Sequence, residues 1–308
     1  MAFGETQPAT SAAVSDFTEH GRHILPAPVD AEAAAALLAE IRADRSFGQA
    51  LFLDQASFEA NPQYTGVNPR PGRNLLDRFA DRLGFVEGSP MVTGALDALL
   101  GQGWEVLNRK IVCGVPQSAI PGWVKDKIGD DLVNNLGPYV RPEYRDVTYF
   151  YGIDFHQDLI DFKDRDADFV TLYCYLHPVT RADAPLYLLD GSHALGATVF
   201  PHDLRRDGEA WLYGDRAGQE VACAQRILTG ETGFVAIWHA CTLHGTQPDA
   251  ADHERISLRY LIAKRPGTKA AIDDLNAALK GPARLASTRL DLAADGSPQI
   301  KGNTVNRA

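Results

Sequence analysis

The chain changes its hydrophobic period about a third of the way along. Before residue 104 the apolar positions recur at helical spacing. Ala34, Leu37, Leu38 and Ile41 fall at i, i+3, i+4 and i+7 behind Asp30, a good N-cap. Leu76, Phe79 and Leu83 mark a second short amphipathic helix over 74–83. Ser89-Pro90 opens a third, which carries Val92, Leu96, Leu99 and Leu100 inward and stops at Gly101 and Gly103. A further helix is predicted over 121–136, ended by Gly137-Pro138. From Trp104 onward the runs become short, β-branched and aromatic. Strands are predicted over 105–115, 147–155, 169–176, 186–189, 221–228, 234–238 and 255–263, with Thr229-Gly230-Glu231-Thr232-Gly233 as a turn between two of them. Helices first and strands afterwards predict a mixed α+β, mainly β chain. Its core would be a jelly roll (double-stranded β-helix) braced by N-terminal helices. Residues 1–15 are small and polar and read as a disordered tail, 16–266 as the domain, and 267–308 as a helix over 270–279 followed by a polar tail. The segment 200–218, with Trp211 and Tyr213 among charges, reads as a long loop able to cover a site and touch substrate.

Composition narrows the class. With 308 residues, 45% hydrophobic and 23% charged, the chain can bury a sizeable core. Its net charge of −10 argues against a nucleic-acid surface. No run is long and apolar enough for a membrane span, and the N-terminus lacks the pattern of a signal peptide. Cys113, Cys174, Cys223 and Cys241 show no CxxC spacing and read as free thiols, which suits a cytoplasmic location. Oligomeric state is not legible.

The chemistry concentrates where the strands end. His156-Gln157-Asp158 closes the run 147–155, and side chains two apart on an extended chain share a face. His244 lies 86 residues beyond Asp158, at the end of another apolar run. Two histidines and a carboxylate with the remaining positions open form the facial triad of non-haem Fe(II) oxygenases. His156 and Asp158 alone would read as an ordinary strand end, and the weight comes from the ordered set. His239 falls on the opposite face from His244 if the strand is unbroken, His193 sits at a turn, His177 precedes Pro178 at a strand end, and His20, His23, His202 and His253 read as exposed. Eleven residues beyond His244, Arg255 opens the last strand and shares a face with Ser257 and Arg259. An inward arginine needs an anionic partner, either a bound carboxylate or an internal Asp or Glu.

His156-Gln157-Asp158-Leu159, Gly191-Ser192-His193, His244-Gly245-Thr246 and Arg255-Ile256-Ser257 together resemble the phytanoyl-CoA dioxygenase-like family. Phe17, Gly21 and Ile24-Leu25-Pro26 resemble its opening. The resemblance implies Fe(II) on His156, Asp158 and His244, 2-oxoglutarate as cosubstrate with O2, and hydroxylation of a small-molecule C–H bond. It implies Arg255 against the cosubstrate's 5-carboxylate, Thr246 beside it, and Lys110 near cosubstrate or substrate. Because Asp158 is present, halogenation is disfavoured. Asp183-Ala184-Pro185 and Asp190 depart from the family's usual residues before its Gly-Ser-His turn, and no CoA-binding element is visible. Two other readings stay open: a zinc-dependent hydrolase on the same three ligands, and a non-catalytic jelly-roll binding protein.

Overall fold

The structure, a computed structural model, describes residues 7–60, 73–286, 289–294 and 296–305. Its helices are α1 (Gln7–His20), α2 (Ala31–Asp44), α3 (Gln55–Ala60), α4 (Gly84–Glu87), α5 (Pro90–Leu100), α6 (Gly122–Ile128) and α7 (Ala271–Ala277). The strands are β1 (Arg22–Ile24), β2 (Glu105–Gly114), β3 (Val133–Asn135), β4 (Thr148–His156), β5 (Phe169–Tyr175), β6 (Leu186–Asp190), β7 (Asp203–Asp207), β8 (Ala210–Gly214), β9 (Glu220–Leu228), β10 (Val235–His239), β11 (His244–Thr246) and β12 (Arg255–Ala263). They join in the order β1-β10-β5-β12-β2-β4-β11-β6-β9-β8-β7, with β3 on β4. Every pairing is antiparallel except β2 with β4, a short parallel contact where one half of the sheet passes into the other.

Strand alternation explains the layers. On β5, Val170, Leu172 and Cys174 face the helices, while Tyr173 and Tyr175 face the other way. The same holds on β12, where Ile256, Leu258, Tyr260 and Ile262 pack with α1, α2 and α5. The opposite face of β2, β5 and β10 meets β6 and β9 through Val112, Tyr173, Tyr175, Trp238, Leu186, Leu188 and Leu228. The sheet therefore folds back on itself and encloses an interior between its halves. Arg255, Ser257 and Arg259 are on this interior side of β12.

Several sequence expectations hold locally. Asp30 caps α2 by accepting from the N–H groups of Glu32 and Ala33, and Ala34, Leu37, Leu38 and Ile41 are its buried stripe. Asn74 caps a 3-10 segment over Leu75–Arg82 in place of the expected α-helix, and Phe79 breaks it with non-helical geometry. Gly101 at φ 74 ends α5.

Four expectations are corrected. Of the expected N-terminal tail, residues 1–6 lie outside the described residues and 7–15 belong to α1, because Ala13 and Phe17 supply an apolar stripe that the core buries. The helix predicted over 121–136 is only seven residues long. Gly129 takes φ 47 and stops it, freeing Val133–Asn135 to pair with β4. The segment 200–218 is the hairpin of β7 and β8, not a loop, since Trp211 and Tyr213 alternate inward. The C-terminal segment carries more than a polar tail. Val305 packs among Phe155, Leu189 and Leu243, and the backbone N–H groups of Thr304 and Val305 donate to Asp154 at 2.9 and 3.3 Å.

Candidate active site

His156 and His244 are direct cross-strand partners on β4 and β11, which brings their rings to 4.1 Å between centroids. Asp158 follows in a 3-10 turn. Gln157 holds that turn in place from the opposite face. Its amide donates to the carbonyls of Gly196 and Cys241 at 2.7 and 2.9 Å and accepts from the N–H of Thr198. One ligand atom each from His156, Asp158 and His244 then lie within 4.8 Å of one another.

Each imidazole is oriented by a backbone carbonyl. Nδ1 of His156 is 2.9 Å from the Asp154 oxygen, and Nδ1 of His244 is 3.2 Å from that of Thr242. A carbonyl only accepts, so Nδ1 carries the proton and Nε2 keeps its lone pair for a metal. Burial lowers the basicity of both rings, that of His244 to about 3, so both remain neutral. Burial by itself pushes the Asp158 carboxyl up, but the Arg259 guanidinium, with the Thr171 hydroxyl, more than reverses this and holds it well below the usual carboxylate range. Oδ2 of Asp158 accepts from the Thr171 hydroxyl and from the Trp238 indole at 3.2 Å, and lies 3.5 Å from Nε2 of His244. Oδ1 is paired with the Arg259 guanidinium. Two neutral nitrogens and one anionic oxygen, each fixed by an outer partner, are a donor set that suits a divalent transition metal.

The triad opens into a cavity of about 100 Å³. Arg255, Lys110 and Thr246 all line it. Arg255 is 1% exposed, and its Nε and Nη1 have no hydrogen-bond partner among the described residues. Room for its guanidinium comes from Gly114, directly opposite on β2. A Cβ there would come within 3.3 Å of Arg255 Nε and 3.5 Å of Nη2. The Thr246 hydroxyl donates to the Ala184 carbonyl at 2.9 Å. Burial, and then the like charge of Arg259, push the Lys110 ammonium down to about 7.

Trp211 is placed elsewhere. It does not line this cavity but is buried on β8, edge-on to Phe155 at 5.3 Å, with its indole donating to Gln225. The expected substrate contact is not made there: on β8 alternate residues turn inward, and Trp211, the largest of them, fills the core. His23 and His202, expected to be exposed, are also drawn in. His23 pairs with Asp16 at 2.7 Å, and His202 is half-buried with Nδ1 2.7 Å from the Thr198 hydroxyl. His239 turns away from the triad and meets Asn276 at 3.1 Å.

Sequence reasoning missed the outer partners. Thr171 and Trp238 are register partners on β5 and β10, both aimed at Asp158. The alternation of β5 was a signal for Thr171, since it shares a face with Tyr173 and Tyr175. Arg289 also lines the cavity and pairs with Asp291 and Asp161, and nothing in the sequence pattern marks it.

No family model matches the chain. Among curated proteins it is 28% identical over 144 residues to a probable alpha-ketoglutarate-dependent hypophosphite dioxygenase of Stutzerimonas stutzeri, a match over 44% of this chain and 49% of that protein. The match thus spans about half the length of that relative. Among solved structures, the epimerase SnoN, in complex with Fe3+, alpha ketoglutarate and nogalamycin RO, superposes with a TM-score of 0.51 at 14% identity, covering 96% of this chain and 94% of that one. The non-heme alpha ketoglutarate dependent carbocyclase SnoK gives 0.50 at 12% identity over 92% and 96%. These two likenesses concern the fold alone.

Proposed function

We propose that this chain is an Fe(II)- and 2-oxoglutarate-dependent oxygenase acting on a small molecule, and that its folded-back sheet is a double-stranded β-helix. The observation that carries the reading is Arg255. A buried guanidinium with two unpartnered nitrogens is costly unless an anion completes it. It lines the same cavity as a facial set of two histidines and a carboxylate. A dicarboxylate that chelates the metal and ends on Arg255 satisfies both features. The name of the curated relative supports the same cosubstrate.

His156, Asp158 and His244 would hold the iron, with the Asp154 and Thr242 carbonyls, Thr171, Trp238 and Arg259 fixing their orientation. Arg255 would take the far carboxylate, with Thr246 shaping the wall beside it. Val112, Ile153 and Leu186 line the cavity and limit water. Bound iron supplies the oxidation, in which R–H, O2 and 2-oxoglutarate give R–OH, succinate and CO2. Hydroxylation of a C–H bond is the form proposed here. The zinc-hydrolase reading leaves Arg255 without a role.

The test is calorimetry of 2-oxoglutarate on Ni(II)-loaded protein, followed by succinate release from the Fe(II) form under O2. Binding that requires the metal, with succinate formed, supports the reading. Absence of both overturns it.

A further inference from the structure

Arg255 stands under the influence of an anion that belongs to the chain. Asp249 lies in the connection between β11 and β12. The N–H of Gln117 donates to its carbonyl at 2.9 Å, and Pro116 is its bridge partner. Gly114, two residues before Pro116, is the register partner of Arg255. Asp249 and Arg255 are therefore held at the same end of β2. Asp249 is 1% exposed. Its Oδ1 accepts from the N–H of Ala251 at 3.0 Å, whereas Oδ2 has no hydrogen-bond partner among the described residues. Nε and Nη1 of Arg255 are unpartnered in the same way. A buried carboxylate and a buried guanidinium thus share one region without closing into an ion pair.

The other charges around Asp249 are engaged elsewhere. His253, in the same connection, is held by Asp183 and Asp252, both at 3.0 Å. Arg42 of α2 pairs with Glu254 at 2.7 Å. Cys113 of β2 feels the Asp249 charge, but burial pushes its thiol up and keeps it neutral. Burial raises the Asp249 carboxyl to about 6, with the Ala251 N–H and Arg255 pulling it back, Asp183 adding to the rise and His253 opposing it. A second anion brought to Arg255 raises it further, because like charges at one site disfavour ionisation.

We infer that Asp249 is the internal counter-charge of Arg255, and that its Oδ2 takes up a proton from solvent when the far carboxylate of the cosubstrate reaches that guanidinium. The inference rests on the oxygenase reading above. Arg255 passes from one carboxylate to the other, and the buried end of the cavity never holds two anions against one cation. Protonated Asp249 favours the bound cosubstrate. Affinity for 2-oxoglutarate therefore falls as pH rises above about 6, by up to about tenfold per unit, until the carboxyl is ionised in the complex as well.

The experiment is calorimetry of 2-oxoglutarate on Ni(II)-saturated protein near neutral pH, in two buffers of different ionisation enthalpy, which reads the protons taken up per ligand bound. The parent should take up a large fraction of one proton, and its affinity should fall about tenfold or more from pH 6 to pH 8. Asp249→Asn removes the charge and keeps the acceptor for Ala251. It should take up less than about a third as many protons, hold a nearly constant affinity across that range, and bind at pH 8 at least as tightly as the parent. Lys110 also lines the cavity and is pushed down to about 7, so uptake by the parent does not by itself name the group. Lys110→Met should leave the uptake in place. The inference is overturned if the parent takes up no proton, if Asp249→Asn takes up as many as the parent, or if Lys110→Met abolishes the uptake. Should Asp249→Asn fail to fold, Asp249→Ser, which also offers Ala251 an acceptor, carries the same readout. A parent that binds no 2-oxoglutarate at any pH overturns the oxygenase reading, and this inference with it, before any variant is compared.

Discussion

Asp158 carries two opposing demands, and they separate by substitution. It is the only anionic member of the triad, and it is also the counter-charge of Arg259. Asp158→Ala should abolish metal binding in a Ni(II) titration. The same change should lower the melting temperature of the metal-free protein, since breaking a buried pair costs about 3–5 kcal/mol. An unchanged melt in chelator would show that the pair does not stabilise the fold. Arg255 should behave in the opposite way. Its guanidinium is buried with two nitrogens unpartnered. Arg255→Met removes that burden while roughly keeping the volume, so the metal-free protein should melt at the same or a higher temperature. Its 2-oxoglutarate affinity should fall about tenfold to a hundredfold. A melt several degrees lower would make Arg255 a structural ion. Gly114→Ala tests the space instead of the charge. The added methyl group would sit 3.3 Å from Arg255 Nε, so 2-oxoglutarate should bind several-fold more weakly with metal affinity intact.

At the scale of elements, periodicity made most of the sheet legible. Strands β2, β4, β5, β6, β9, β10 and β12 fall within a residue or two of the apolar runs that predicted them. The triad was legible only in part for the same reason: His156 and His244 lie on strands that meet at one mouth, whereas Asp158 reaches them from a 3-10 turn and not from the i+2 position of a continuing strand. What escaped were the elements set by partners. β1, β3 and β11 have three residues each, too few to show a period, and exist because β10, β4 and β6 offer them edges. The outer ligands of Asp158 come from register between distant strands, which a linear reading does not contain. The β7–β8 hairpin was misread because its charges drew attention while its alternation is only five residues deep. That correction changes an expected phenotype. Trp211 is 2% exposed and packs on Phe155, so Trp211→Ala should cost about 3–5 kcal/mol in denaturant unfolding. Turnover per folded molecule should stay near the parent value. A selective change in substrate coupling without loss of stability would restore the hairpin as a substrate-contacting element.

For the whole molecule, a strap formed by residues 303–305 packs against the strands that carry the site. Asn303 donates to the Leu132 carbonyl at 3.1 Å, beside β3. The N–H groups of Thr304 and Val305 close on Asp154, two residues before His156. Val305, 1% exposed, packs over Gly245, where a Cβ would lie 3.0 Å from its Cγ2. Gly245 directly follows His244. The strap therefore contacts β4 two residues before His156 and β11 one residue after His244. Removing residues 299–308 should uncover the apolar cluster around Phe155 and Leu243 and free the Asp154 carboxylate. The melting temperature should drop by several degrees. Metal affinity should fall more than 2-oxoglutarate affinity measured at saturating metal, because Arg255 is on β12, away from the strap. Val305→Ala, which leaves the backbone contacts to Asp154 in place, should show a smaller loss of the same kind. A truncated protein that melts lower yet titrates with Ni(II) like the parent would reduce the strap to a clasp on the fold, with the histidine spacing set by the β4–β11 pairing alone.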